Sequence, residues 1–108
     1  MKFVIRLIYL FIFVSIFQVN LVLAEEISAG EMVFNANCAA CHANGQNSVS
    51  PEKTLEKEIL EKNSMYSVDA IINQVTGGKN AMPPFGERLS SDDIINVANF
   101  VLNKSDSW

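Results

Sequence analysis

The chain holds two cysteines and one histidine, and all three fall within five residues: Cys38-Ala39-Ala40-Cys41-His42. Placed on a helix, Cys38 and Cys41 are i and i+3, so both thiols face one side. His42 is i+4 from Cys38 and shares that side. Two thiols so spaced can each add to one of the two vinyl groups on a porphyrin edge, and the imidazole can then reach the iron. C-x-x-C-H is the attachment pattern of a c-type haem. Three other chemistries use a C-x-x-C. A redox dithiol sits near a βαβ pattern, and none follows here. Zinc wants four ligands, and the cluster offers three. A plain disulfide suits a secreted chain. The adjacent histidine and an export signal (below) favour covalent haem over all three.

An iron held by one imidazole needs a ligand on its other face. Three methionines follow the leader: Met32, Met65 and Met82. Met32 lies ten residues before His42 in the same helical run and is expected in the core. Met65 follows Asn63-Ser64 at a helix boundary and is the reserve ligand. Met82 stands in Gly77-Gly78-Lys79-Asn80-Ala81-Met82-Pro83-Pro84-Phe85-Gly86, a loop by its paired glycines, its Asn and its paired prolines. The prolines fix φ and lower the entropy lost when the loop orders. Such a loop can hold a soft thioether against iron, so Met82 is the chosen sixth ligand. Met ligation favours the reduced state. With both axial positions filled, no site remains for oxygen or substrate, which points to electron transfer rather than catalysis.

Helices must position these groups. Ser28-Ala29-Gly30-Glu31 reads as a capping box that starts a helix running into Cys38. Gly30 and Phe34 fall one above the other on it. Gly45 to Pro51 is polar loop. Thr54 to Lys62 is rich in helix formers, and its charges make a solvated face. Ser67 caps a third helix, with Ala70, Ile71 and Val75 as its stripe and Gly77 as C-cap. Ser90 or Ser91 caps the last, where Ile94, Val97, Ala98, Val101 and Leu102 repeat with helical period. No strand alternation, repeat or low-complexity tract appears. The expected fold is all-α, about four short helices wrapped around one haem.

Ahead of this lies a leader. Met1–Arg6 is basic, Leu7–Ala24 has no charged residue, and small Ala24 precedes Glu25-Glu26. That order is a secretory signal peptide. Eighteen uncharged residues are near the lower limit for a bilayer span, and Gln18 and Asn20 argue against one. Residues 1–24 are therefore expected to be removed, leaving 25–108 as one domain with no stable membrane anchor. All twelve acidic residues fall in that part with six of the eight basic ones, a net charge of −6. Such a chain is a poor nucleic-acid binder and is steered toward basic patches on its partners. Its 84 residues bury a modest core, which a covalent, largely apolar cofactor would complete.

Gly30, Phe34, the C-x-x-C-H and a last helix bearing Phe100 together resemble the class I cytochromes c. The segments Gly30-Glu31, Val33-Phe34, Ala36 to Ala43, Lys53-Thr54-Leu55, Asn63-Ser64-Met65, Gly78 to Pro83, Phe85-Gly86, Arg88-Leu89, Ala98-Asn99, Val101-Leu102 and Trp108 resemble the cytochrome c6 family more closely. The resemblance implies that the first and last helices cross at Gly30, with Phe34 packed near Val97 and Phe100. It implies one haem c per chain, with Cys38 and Cys41 as thioether attachments and His42 and Met82 as axial ligands. It further implies a monomeric soluble carrier, not an enzyme, taking electrons from the cytochrome b6f complex to photosystem I in the thylakoid lumen. Arg88 matches a basic residue that contacts photosystem I; a structural ion pair, with a propionate, is its other reading. Pro84 and Glu87 depart from the family's usual Ala and Gly, and Glu87 sets a negative charge beside Arg88. The short leader, without a transit peptide, fits a plastid-encoded or cyanobacterial protein. The alternative partner is a respiratory oxidase met in a bacterial periplasm.

Overall fold

Ser67 and Ser90 start their helices as the sequence predicts. Ser67 Oγ accepts the Ala70 amide at 3.1 Å, and Ser90 Oγ accepts the Asp93 amide at 3.1 Å. Each hydroxyl thereby satisfies one of the amides that a helix start leaves orphaned. The computed structural model covers the whole chain and describes the side chains of residues 1–16 and 27–108. It contains α1 (Lys2–Asn37), α2 (Ala39–His42), a 3-10 turn at Ala43–Gly45, α3 (Lys57–Lys62), α4 (Val68–Gly77) and α5 (Ser91–Lys104). Among the described residues there is no strand beyond the Lys79–Met82 bridge, so the all-α expectation holds. "About four short helices" was too few, and α1 is 36 residues long.

Ser28 stands inside α1 rather than at its start. No Gly or Pro precedes it in the sequence, so nothing there stops a helix begun in the leader. The cleavage expected after Ala24 lies outside the described residues. Among those that are described, no helix is long and apolar enough to cross a membrane. Helix α3 begins three residues later than the composition of Thr54–Lys62 suggests. Glu56 is extended (φ −66°, ψ 144°), and buried Thr54 uses its hydroxyl to accept the Glu56 amide at 3.4 Å. A threonine that bonds to the local backbone competes with helix in this way. Helix α4 keeps Gly77 and ends at Gly78, which takes φ +66°.

The core forms where α1 meets α5. A Cβ on Gly30 would strike the Asn96 carbonyl oxygen and come within 2.7 Å of Phe100 Cβ, so only glycine allows the two backbones this close. One turn further on, Phe34 packs against Phe100 with ring centroids 5.3 Å apart, the crossing expected from the resemblance. Ile71 and Val75 of α4 join Ile94, Val97, Ala98 and Val101 of α5 in the same cluster. Met32 does not: it is 71% exposed, against the expectation of a core position. Two residues on from Gly30 is about 200° around a helix, the side away from α5.

Candidate haem site

The C-x-x-C-H segment lies at a break between two helices. Cys38 closes α1 and opens α2 with φ −113°, ψ −30°, and its carbonyl accepts the amides of Cys41 (3.2 Å) and His42 (2.9 Å). The motif is therefore held in nearly helical form, which keeps the two sulfurs and the imidazole on neighbouring turns. Burial pushes the Cys38 thiol up to about 11, so it stands neutral against the core, while Cys41 is exposed.

His42 is half-buried, and its Nδ1 lies 3.0 Å from the Gln46 carbonyl oxygen. A carbonyl can only accept, so Nδ1 carries the proton and donates, leaving the Nε2 lone pair for a metal. The acceptor is placed by a sharp reversal. Asn44 (φ +57°) and Gly45 (φ +73°) are both left-handed, and they turn the chain back toward His42.

Met82 is carried by a loop stitched to the end of α4. Lys79 and Met82 exchange two backbone hydrogen bonds of 3.0 Å, and the amides of Phe85 and Gly86 reach back to the carbonyls of Val75 (2.9 Å) and Thr76 (3.2 Å). Gly78 allows the turn, since a Cβ there would lie 2.7 Å from Pro84 N. Gln74 Nε2 lies 3.7 Å from Met82 Sδ and donates toward it.

Cys38, Cys41, His42 and Met82 all line one cavity of about 740 Å³. The core side chains Phe34, Ile71, Val75, Val97 and Val101 line it too, as do Met65 and the cations Lys53, Lys79 and Arg88. That size and a wall that is largely apolar but carries polar and cationic side chains suit a cofactor. Among the described residues no three His, Cys, Asp or Glu side chains converge as a cage for a bare metal ion. The donor set instead fits a porphyrin iron: two thiols for its edge, one imidazole with a free lone pair, and a soft thioether.

Arg88 sets its guanidinium 5.6 Å from the centroid of the buried Phe85 ring, a cation–π contact. The single ion pair among the described residues is elsewhere, Lys57 Nζ to Asp106 Oδ1 at 3.7 Å. Two groups of the site escaped the sequence reading. Gln74 is a polar residue beside an apolar stripe, a weak signal. The Gln46 carbonyl had no signal, because every residue carries one.

Helices that cross at a glycine and close around an apolar cavity, with C-x-x-C-H in its wall, define a class I c-type cytochrome. The family model described as "Cytochrome C oxidase, cbb3-type, subunit III" matches residues 25–101. The chain is 57% identical over 90 residues to cytochrome c6 of Gracilaria tenuistipitata var. liui, 83% of either chain. It is 60% identical over 81 residues to cytochrome c6 of Alaria esculenta, covering 75% of this chain and 94% of that one. The solved cytochrome c6 of the diatom Phaeodactylum tricornutum superposes with a TM-score of 0.73 at 58% identity, over 75% of this chain and 95% of that one. The chain belongs to the cytochrome c6 family. It is an electron carrier with one covalently bound c-type haem, and not an enzyme.

Proposed function

We propose that residues 25–108, freed of the leader 1–24, carry single electrons from the cytochrome b6f complex to photosystem I in the thylakoid lumen of an alga or a cyanobacterium. In this reading Cys38 and Cys41 bind the haem as thioethers, and His42 and Met82 hold its iron. The observation that carries it is the gathering of these four side chains on one cavity, with the His42 proton engaged by Gln46.

Bound there, the haem supplies reversible one-electron exchange between ferric and ferrous iron. The chain's own residues do the rest. Cys38 and Cys41 tether the porphyrin edge. The Gln46 carbonyl holds the His42 ring in one tautomer and orientation. The Met82 thioether would be the second protein ligand to the iron, which would leave no position for oxygen. The apolar side chains of α4 and α5 would pack on the haem and shield part of it from water. The net charge of −6 on residues 25–108 steers the carrier to basic partner surfaces, with binding weak enough to release. The algal relatives support the photosynthetic assignment, and the Alaria esculenta chain, matched over 94% of its length by 81 residues, supports a mature part of this size.

The test has two stages. Protein exported by its natural host should begin at Glu25 and carry the mass of one haem. A colourless product at the bare polypeptide mass would sink the reading. Flash excitation of isolated thylakoids should then show rapid re-reduction of photosystem I by the reduced protein, slowed or quickened by salt. The oxidase named by the matching family description keeps a second reading open, donation to a respiratory oxidase in a periplasm. Rapid turnover with an oxidase and none with thylakoids would select it.

A further inference from the structure

Trp108 packs on the turn that serves His42. The space a Gly45 Cβ would need is filled by the indole: Trp108 Cβ lies 2.8 Å from that point, and ring atoms Cγ and Cδ2 are nearer still. Gly45 is buried, and its φ of +73° is open to glycine but strained for other residues. The next residue, Gln46, supplies the carbonyl that accepts His42 Nδ1–H. On its other sides the indole is held by Phe34 (centroids 5.5 Å apart) and Phe100 (6.2 Å).

We propose that Trp108 is a positioning residue for the axial imidazole: seated on Gly45, its ring locks the left-handed turn that presents the Gln46 carbonyl to His42. The inference rests on His42 being the iron's ligand, as argued above. Asn and Gly are the residue types that enter the left-handed region most easily, so the turn is accessible, but Gly45 is equally free to leave it unless its neighbours hold it. Leu55 donates to the Gly45 carbonyl at 2.8 Å and fixes one side of the turn. Trp108 covers the Cα side. With the ring gone, Gly45 regains its conformational freedom, and the Gln46 carbonyl can swing away from the imidazole.

The test reads the imidazole directly. In the reduced, diamagnetic holoprotein, the His42 Nδ1–H gives an NMR signal whose exchange with solvent reports opening of the bond to Gln46. Trp108→Leu keeps apolar bulk without a flat face, and Trp108→Phe keeps a smaller flat face. Ile94→Val, deep in the core and off the cavity wall, is the stability control. Trp108→Leu should speed Nδ1–H exchange at least about tenfold beyond what the control shows at equal stability, with Trp108→Phe close to the parent protein. The midpoint potential should rise in Trp108→Leu, since an imidazole that loses its acceptor donates less to ferric iron. Exchange no faster in Trp108→Leu than in Ile94→Val, or equal in the Leu and Phe variants, overturns the inference. Either result leaves the haem assignment intact, because the parent protein's spectrum and mass test that separately.

Discussion

Gln74 and Met82 stand eight residues apart, on α4 and on the loop that follows it, and Gln74 Nε2 donates toward Met82 Sδ over 3.7 Å. A donor on the sulfur withdraws electron density from it. The thioether then stabilises ferric iron less, and the reduced state gains. Gln74→Val removes the donor at similar bulk. A neutral hydrogen bond of about 1 kcal/mol corresponds to about 40 mV for a one-electron couple. The midpoint potential should therefore fall by up to about that amount in a spectroelectrochemical titration, since only the part of the bond that differs between the redox states counts. No change, or a rise, would show that the contact leaves the sulfur's electronics untouched.

Met82→Ala asks more of the site. If Met82 is the ligand, the weak near-infrared sulfur-to-iron band of the ferric protein disappears. Carbon monoxide then binds readily on reduction, and the potential falls further than in Gln74→Val. Met65 lines the same cavity and is the one rival thioether there. A retained band and an unaltered potential would move the assignment to Met65.

Two glycines should respond to Ala with opposite sign. At Gly30 the new methyl meets the Asn96 carbonyl and the Phe100 side chain, and α1 and α5 must separate. Overpacking of this kind costs about 1–3 kcal/mol. At Gly77, the last residue of α4, a Cβ meets nothing within 4 Å and φ is not left-handed. Ala there should stabilise by about 0.4–1 kcal/mol through the unfolded chain. Denaturant melts of the holoprotein measure both. Equal effects at the two positions would contradict the close crossing.

Removal of the haem should unfold the domain. Its cavity of about 740 Å³ is walled by the core residues of α4 and α5, so no second core remains. Without the haem its apolar wall is open to water, and a domain has only about 5–15 kcal/mol to lose. The apoprotein should show little helical circular dichroism and regain it on haem attachment. A cooperative melt in the apoprotein would contradict this.

Local features read well from the sequence because local physics settles them. Ser67 and Ser90 cap their helices through bonds spanning three residues. The period of Ile94, Val97, Ala98 and Val101 marks a buried stripe whatever it packs on, and all four are buried. Where a competing contact intervened, the reading slipped. Thr54 turned its hydroxyl to the backbone and delayed α3. Ser28 offered a cap to a helix that had already begun. Met32 looked like core by residue type, but its position around α1 faces away from α5.

The chain's order of residues was enough to point to covalent haem chemistry, since C-x-x-C-H lies within five positions and its spacing follows from a nearly helical turn. It also sufficed to mark the Met82 loop, because Gly and Pro restrict the backbone regardless of surroundings. Tertiary structure alone decided what surrounds those groups: the amide of Gln74 at the Met82 sulfur, the carbonyl of Gln46 at the imidazole, and the indole of Trp108 on Gly45. The Trp108 contact joins residues 63 positions apart, and such a distant meeting leaves no periodic trace in the sequence. The Gln46 contact is short in sequence but made by backbone, which every residue has alike. Only when the chain had folded did these neighbours acquire a role.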